Sequence, residues 1–236
     1  IVKLYKAEII NIIFETSMEA VKKILPPPLE PPDEPVASFF VATYGRTSFG
    51  ALPYREAGLF VRASYKGKIG NYCPFMLVTD DIALIQGREI CGFPKKMGEI
   101  NITREGEKVV AFVRRKNKDL AKLHASLNRA VRPGSHQPVF GEKVFLFKYF
   151  WNPEMTGFDY NPKLIEIAID EELTALEEGE GLLSFGESKY DPIHEIPPLR
   201  ILGSTYSRGN VYLHPAKVIG EIDPQVFLPY CFNRYI

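Results

Sequence analysis

Apolar and polar residues alternate along many short segments of this chain, a pattern that predicts strands. Residues 1–15 mix polar with β-branched side chains and form the first predicted strand, which is also the longest. The tripeptide Glu105-Gly106-Glu107 is typical of a turn between two paired strands. The remaining predicted strands cover residues 36–44, 58–65, 100–104, 108–115, 144–150, 164–170, 200–204 and 211–213.

Helical patterns are fewer and shorter. Residues 18–25 have one apolar face, and the run Pro26-Pro27-Pro28 ends that predicted helix. A short helix is predicted over residues 82–89, and the polar segment 118–129 is predicted to form a third. The sequence therefore predicts a single α+β, β-rich domain over residues 1–236. We expect a curved, mostly antiparallel sheet or barrel around a buried pocket, with a few peripheral helices.

Charge and cysteine content exclude several classes of function. The 29 basic and 29 acidic residues cancel, so no net field draws the protein to nucleic acid or to an anionic membrane. No apolar run approaches the ~18 residues of a membrane-spanning helix. Cys73, Cys91 and Cys231 are widely separated, and the four histidines have no ligand-like spacing. We therefore expect a reduced, cytoplasmic protein with no disulfide framework and no metal site.

The most informative segment runs from Gly87 to Lys96, where a lysine pair closes a stretch of apolar and backbone-shaping residues. Lysine is almost never fully buried without a specific reason. Pro94 fixes its own φ and keeps Phe93 out of the helical region, so the chain reaches Lys95 in an extended, stiff conformation. A lysine delivered in this way suits Schiff-base chemistry, whereas an isolated lysine pair is more often a solvated strand end.

This segment resembles a known signature. The residues Gly87-Arg88-Glu89, followed by Gly92-Phe93-Pro94-Lys95-Lys96, are similar to the lysine motif of the acetoacetate decarboxylase family. Residues 18–30, Tyr54-Arg55-Glu56-Ala57-Gly58 and Pro197-Pro198-Leu199 resemble further segments of the family. The resemblance thus covers nearly the whole chain.

The resemblance implies that Lys95 forms a Schiff base with a small keto acid. The lysine imine acts as the electron sink for loss of carbon dioxide, so no organic cofactor is expected, and the family implies a homo-oligomer. Glu56 matches a family glutamate that orients the substrate or moves protons. Without the family match, Glu56 would be a surface carboxylate paired with Arg55. Tyr54, in the same segment, is expected to contact the substrate.

Schiff-base formation needs a neutral amine, but an ordinary lysine with a pKa near 10.4 has only about one neutral amine in ~2500 at pH 7. If Lys95 and Lys96 lie in a strand, their side chains point to opposite faces. Two ammonium groups on the order of 10 Å apart repel by ~1.7 kcal/mol at an effective dielectric of ~20. We therefore expect desolvation in an apolar pocket walled by Phe93 to have the larger effect. Lys96 would make a secondary catalytic or structural contribution.

Two positions depart from the family pattern. Ala7 replaces an arginine of the first strand, and Phe40 replaces a glutamate of the following strand. Phe40 is therefore expected to make the pocket more apolar and to contact the substrate. Arg88 is either a structural partner of Glu89 or an anchor for a substrate carboxylate.

These departures leave three functions open. The first is decarboxylation of acetoacetate or a related β-keto acid, which would make the protein a lyase. The second is aldol condensation and dehydration of 2-oxo acids through the same lysine. The third is non-catalytic binding of a small apolar acid. Outside the pocket, Cys91 is expected to line the core near it, and Arg114-Arg115-Lys116 is interpreted as a solvated strand end.

Overall fold

The computed structural model describes residues 1–133 and 143–234. Within these ranges the strands are β1 (Val2–Glu15), β2 (Val36–Thr47), β3 (Tyr54–Tyr65), β4 (Lys68–Val78), β5 (Lys95–Met97), β6 (Glu99–Glu105), β7 (Lys108–Arg115), β8 (Lys118–Val131), β9 (Lys143–Lys148), β10 (Lys163–Phe185), β11 (Arg200–Leu213) and β12 (Lys217–Glu221). The α-helices are α1 (Met18–Ile24), α2 (Asp81–Glu89) and α3 (Pro224–Phe227), with 3₁₀ helices at Ile193–Glu195 and Leu228–Arg234.

Seven strands close into a ring. They follow the order β1, β2, β3, β4, β9, β10 and β11, and β11 completes the ring by pairing with both β10 and β1. The neighbouring strands are antiparallel except around β4, which runs parallel to β9 and to the short strand β5. The ring confirms the predicted curved, mostly antiparallel sheet with a few short helices.

Strand β10 belongs to two parts of the sheet. Its first residues pair with β9, and its residues 176–185 pair with β8. From there the antiparallel strands β8, β7 and β6 continue as a three-stranded extension. Strand β6 also contacts β2, β3 and β4, so the extension folds back over the outside of the ring.

The two faces of the ring strands form two apolar clusters, because successive side chains of a strand point to opposite faces. Ile9 and Phe40 belong to the inner cluster, whereas their neighbours Ile10 and Phe39 belong to the outer one. The outer cluster includes side chains of α1, β7 and β8, which cover this side of the ring. The inner cluster surrounds the cavity in which Lys95 lies.

The two longer helices begin at side-chain caps. The Ser17 hydroxyl accepts a hydrogen bond from the Ala20 amide at 3.0 Å, and the Asp80 carboxylate accepts one from the Ala83 amide at 2.8 Å. The helix predicted over residues 82–89 is therefore confirmed as α2. No helix in the described ranges is both long enough and apolar enough to cross a bilayer.

The helix predicted over residues 118–129 is wrong, because this segment is strand β8. Leu123, Ala125 and Leu127 are buried, while Lys122 and His124 are exposed, a period of two residues. Lysine, alanine and leucine have high intrinsic helix propensity, but pairing with β7 and β10 on both sides overrides it. Strand β4 was not predicted, and the two segments predicted over residues 200–213 form one continuous strand, β11.

Candidate active site

Lys95 reaches its position through a tight turn after α2. Gly92 has a φ of +81°, and a Cβ on it would come within 2.8 Å of the Phe147 carbonyl oxygen, so only glycine fits there. The Phe93 amide then donates a hydrogen bond to the Gly87 carbonyl at 3.1 Å, and Pro94 leads into β5. Strand β5 pairs in parallel with β4 and thereby fixes the direction of the Lys95 side chain.

The Lys95 amine contacts a buried carboxylate. Lys95 Nζ lies 2.7 Å from Glu56 Oε2, and the two side chains are 8% and 6% exposed. Glu56 lies on β3, next to β4 in the sheet, so three adjacent strands bring the two residues together. The alternative interpretation of Glu56 as a surface carboxylate is therefore wrong. The environment of the Lys95 amine is also less apolar than expected, since the amine contacts the Glu56 carboxylate.

The walls around this pair are apolar and aromatic. Lys95 Nζ lies 5.9 Å from the centroid of the Tyr54 ring and 5.7 Å from that of Phe93. The pair borders a cavity of about 80 Å³ between the ring interior and α2. At ~30 Å³ per molecule in the liquid, that volume corresponds to roughly three water molecules, a space suited to a small organic molecule. Its other lining residues are Val2, Leu4, Tyr44, Phe49, Phe60, Met76, Ala83, Gln86, Gly87, Ile90, Cys91, Ile169, Val211 and Leu213.

Two tyrosines on the cavity wall keep their hydroxyl protons. Burial, followed by the negative charge of Glu56, raises the pKa of both the Tyr44 and the Tyr54 hydroxyl well above its usual value. Their ring centroids are 5.1 Å apart. The Tyr44 hydroxyl has no hydrogen-bond partner among the described residues. Neutral hydroxyl groups at these positions can donate hydrogen bonds to a bound molecule.

Cys91 lines the cavity, as expected, and burial raises the pKa of its thiol. This thiol is therefore a poor nucleophile at neutral pH. Across residues 1–133 and 143–234, no three His, Cys, Asp or Glu side chains converge in a way that suits a metal ion. The polar groups of the cavity are thus one amine, one carboxylate, two phenols, the Gln86 amide and a protonated thiol, beside the Met76 thioether.

Lys96 points to the opposite face of β5 from Lys95, as strand geometry requires. There its amine pairs with Asp191, whose side chain is fully buried and also contacts the Arg115 guanidinium at 2.8 Å. Burial lowers the pKa of Lys96, and the negative charge of Asp191 opposes this effect. The structure thus places Lys96 outside the Lys95 cavity. It also corrects the interpretation of Arg115 as a solvated residue, since that side chain is only 15% exposed.

Comparison with known proteins shows the family of the chain. The family model described as acetoacetate decarboxylase matches residues 1–221. The chain belongs to the acetoacetate decarboxylase family. The acetoacetate decarboxylase of Clostridium acetobutylicum is 26% identical over 227 residues, which are 92% of this chain and 88% of that protein. Decarboxylase DEC1 of Cochliobolus heterostrophus is 29% identical over 214 residues, 85% of this chain and 80% of that protein.

Solved structures share the fold. A structure described as acetoacetate decarboxylase superposes with a TM-score of 0.86 at 24% identity, covering 93% of this chain and 89% of that one. The enduracididine biosynthesis enzyme MppR superposes with a TM-score of 0.80 at 17% identity, covering 94% of this chain and 89% of that one. The family fold is therefore shared with an enzyme from a biosynthetic pathway.

The two predicted departures from the family pattern, Ala7 and Phe40, lie in the inner apolar cluster. Ala7 is 2% exposed and lies opposite Tyr44 in the pairing of β1 with β2. Phe40 is fully buried and stacks on Phe60, with ring centroids 5.8 Å apart. Phe60 lines the cavity, so Phe40 lies one layer behind the wall, contrary to its prediction as a direct substrate contact.

Arg88 lies at the last turn of α2, where its guanidinium contacts the Glu89 carboxylate at 3.4 Å. This position favours its structural role over its alternative role as a substrate anchor. Lys95, Glu56, Tyr54 and Phe93 are brought together as the sequence predicted.

Sequence reasoning missed Tyr44 and the packing role of Gly87, although both lie close to the residues that it identified. Tyr44 could have been found from the sequence. It lies four residues after Phe40 in the predicted strand over residues 36–44, so the two side chains point to the same face of the sheet.

Proposed function

We propose that this protein is a Schiff-base decarboxylase of acetoacetate or a similarly small β-keto acid, with Lys95 as the nucleophile. The observation that carries the proposal is the buried contact of 2.7 Å between Lys95 Nζ and Glu56 Oε2 on the wall of an apolar cavity. Membership of the acetoacetate decarboxylase family supports the same chemistry. So does similarity to two proteins that are named decarboxylases.

In the first half-reaction, Glu56 takes a proton from the Lys95 ammonium group, and the free amine attacks the ketone carbon. The new C–N bond forms while one amine proton moves to the carbonyl oxygen. Glu56 then returns its proton to this oxygen, which leaves as water and gives a protonated imine. The hydrogen bond of 2.7 Å from Lys95 Nζ to Glu56 Oε2 supports this assignment, because a general base must lie within hydrogen-bond distance of the proton that it removes.

In the second half-reaction, the bond to the substrate carboxylate breaks, and its electron pair moves into the imine to form an enamine. Carbon dioxide leaves, the enamine carbon takes up a proton, and water hydrolyses the imine to release the ketone and the Lys95 amine. We assign this proton transfer to Glu56, which takes up a proton from solvent water after the dehydration step and delivers it to the enamine carbon. The apolar walls favour this step, because they penalise the carboxylate more than the neutral carbon dioxide.

The remaining cavity residues bind rather than react. The Tyr54 and Phe93 rings lie 5.9 and 5.7 Å from the Lys95 amine and restrict the directions from which a ketone approaches it. No organic cofactor is required, because the imine supplies the electron sink. The homo-oligomer implied by the family remains a prediction.

The decisive test is reduction with borohydride in the presence of acetoacetate and, separately, of pyruvate. Peptide mass spectrometry then locates any reduced adduct, and carbon dioxide release is measured in parallel. We expect an adduct on Lys95 with acetoacetate, accompanied by carbon dioxide release. The Lys95→Met variant should lose the adduct, whereas Lys96→Arg, altered at the neighbouring position on the other face of β5, should retain it at Lys95.

Other outcomes would favour the alternative functions. An adduct with pyruvate, without carbon dioxide release from acetoacetate, would favour aldol and dehydration chemistry through the same lysine. Saturable binding of either acid without any adduct would favour a non-catalytic binding protein. Labelling of Lys96 in place of Lys95 would overturn the assignment of the nucleophile.

A further inference from the structure

A second cavity, here called the second chamber, lies on the face of β5 that carries Lys96. Its volume is about 480 Å³, within the roughly 300–1,000 Å³ range of small-molecule sites. Its walls come from α1, from β3 to β5, from the segment 189–196 and from Pro229 and Tyr230. Because Lys95 and Lys96 point to opposite faces of one strand, the chamber is separate from the Lys95 cavity.

Most of the chamber surface is apolar. Tyr72 and Phe75 on β4 line it, and so do Ile193 and Ile196 from the segment 189–196. All four side chains belong to the outer apolar cluster. A ligand with a hydrocarbon or aromatic body would therefore bury apolar surface here, which is the main source of affinity in small-molecule sites.

The ionic cluster of Lys96, Asp191 and Arg115, of which the first two line the chamber, has excess positive charge. The Lys96 amine and the Arg115 guanidinium share the single carboxylate of Asp191. An ammonium group has three donors, and Asp191 is the one ionic partner that the described residues give Lys96. One positive charge is therefore left without a counter-charge in a buried cluster, an arrangement that favours an added anion.

The rim of the chamber does not cancel this charge. Lys23 and Glu195 lie on the rim and pair with each other at 2.7 Å, so they contribute no net charge. Lys189 also lines the rim and is exposed. The charged side chains of the chamber together with Arg115 thus have two positive charges in excess. This balance disfavours cations and favours an anion over a neutral ligand of the same shape.

We propose that the second chamber binds a small organic acid, whose apolar body packs against Tyr72 and Phe75 and whose carboxylate pairs with the Lys96 ammonium group. The proposal is independent of the reaction at Lys95, since no residue of that cavity contributes to the chamber. Because Lys95 and Lys96 are consecutive in β5, an acid bound in the chamber also contacts the strand that carries the proposed nucleophile.

The test uses hexanoate as the probe and hexanamide as its neutral counterpart, measured by isothermal titration calorimetry. The Lys95→Met variant is the background, because it removes the competing amine from the first cavity. We expect hexanoate to bind this variant and hexanamide to bind at least tenfold more weakly. Adding Lys96→Met should weaken hexanoate binding at least tenfold.

A surface variant keeps the test valid if the double variant does not fold. Lys189→Ala, at the exposed rim, should weaken hexanoate binding several-fold in the Lys95→Met background. Lys217→Ala, an exposed lysine on β12 outside the chamber lining, should leave it unchanged. Thermal unfolding midpoints identify any variant that has lost its structure.

Three results would overturn the proposal. The first is the absence of hexanoate binding to the Lys95→Met variant. The second is equal binding of hexanoate and hexanamide, which would show that the excess charge plays no part. The third is hexanoate binding that is unaffected by both Lys96→Met and Lys189→Ala. In the first case, chemical labelling of Lys189 distinguishes an open chamber from a covered one. If Lys189 is protected in a homo-oligomer, the chamber is an interface between copies of the chain.

Discussion

The side chain of Lys95 lies directly against the backbone of Gly87 in α2. A Cβ at residue 87 would come within 2.6 Å of both Cδ and Cε of Lys95 and within 2.9 Å of Nζ. These atoms are the half of the side chain that carries the amine to Glu56. The conformation of residue 87 is helical, so the requirement for glycine comes from the space that the lysine occupies and not from backbone strain.

Gly87→Ala is expected to lower the rate of decarboxylation about 100-fold, because displacement of a reacting group by ~1 Å can cost that much. The same variant should slow borohydride trapping at Lys95. Gly203→Ala is the matched control, since a Cβ there meets nothing within 4 Å and should leave both rates unchanged. Trapping of Gly87→Ala at the wild-type rate would show that α2 shifts to accommodate the methyl group.

Tyr44→Phe is expected to raise the free energy of unfolding by about 1 kcal/mol, because a buried hydroxyl without a partner costs ~1–3 kcal/mol. Urea denaturation with an unchanged m-value is the measurement. Tyr149→Phe is the control and should lower the free energy of unfolding, because the Tyr149 hydroxyl is buried and donates a hydrogen bond to the Cys231 carbonyl at 2.5 Å. Equal destabilisation by both variants would contradict this interpretation of Tyr44.

At the scale of elements, the extension formed by β6, β7 and β8 is attached to the ring by side chains as well as by β10. The Arg104 guanidinium on β6 contacts both oxygens of Glu177 on β10, at 2.8 and 2.6 Å. It also lies 4.6 Å from the centroid of the Tyr206 ring on β11. One arginine thus connects the free edge of the extension with two strands of the ring.

This contact predicts a dependence of stability on pH. The hydrogen bonds from Arg104 lower the pKa of Glu177 from its ordinary value. A carboxyl group whose pKa is lowered by folding stabilises the protein above its unfolded pKa, and the stabilisation is lost as the pH falls through the folded pKa. Glu177→Gln should therefore cost about 1 kcal/mol at pH 7 and progressively less below pH ~4.5.

Urea denaturation at pH 7, 4.5 and 3 measures this difference directly. Glu107→Gln, at an exposed carboxylate in the β6–β7 turn, is the control and should change stability little at any pH. A cost of Glu177→Gln that stays constant down to pH 3 would show that the ionised carboxylate does not contribute the stabilisation.

The elements that the sequence predicts well are those with a local signal. Strands β6 and β7 and their turn at Gly106 follow from alternation and a glycine, and the start of α2 follows from its cap. The length of β10 and the parallel pairing of β4 with β5 could not be predicted, because both depend on which distant strand lies alongside. Residues 118–129 were mispredicted for the same reason, since their partners decide their conformation.

At the scale of the whole molecule, the ring assembles the site from distant parts of the chain. Lys95 and Glu56 could be predicted because each lies in a recognisable segment, and strand geometry alone places Lys96 on the other face. Asp191 could not be predicted as the partner of Lys96, because 95 residues separate them and no local pattern marks the contact. The Lys95 cavity, inside this ring, is much smaller than the second chamber.

This small cavity predicts strong selection by substrate size. Phe49 lies in the connection between β2 and β3, is half-buried and lines the cavity, and its carbonyl accepts a hydrogen bond from Gln86 of α2 at 3.2 Å. Each methylene that does not fit an apolar pocket costs ~1–3 kcal/mol of discrimination, about 10–200-fold. We therefore expect wild-type kcat/KM to be at least tenfold lower for 3-oxohexanoate than for acetoacetate.

Phe49→Ala should reduce this preference about tenfold, because it removes a ring from the wall without altering the hydrogen bond made by the backbone of residue 49. Steady-state kcat/KM for carbon dioxide release from both acids gives the ratio. Leu52→Ala, in the same connection but 73% exposed and outside the cavity lining, should keep the wild-type ratio. If wild-type protein prefers the longer acid, the cavity opens beyond its 80 Å³ during the reaction, and size selection by the closed ring is contradicted.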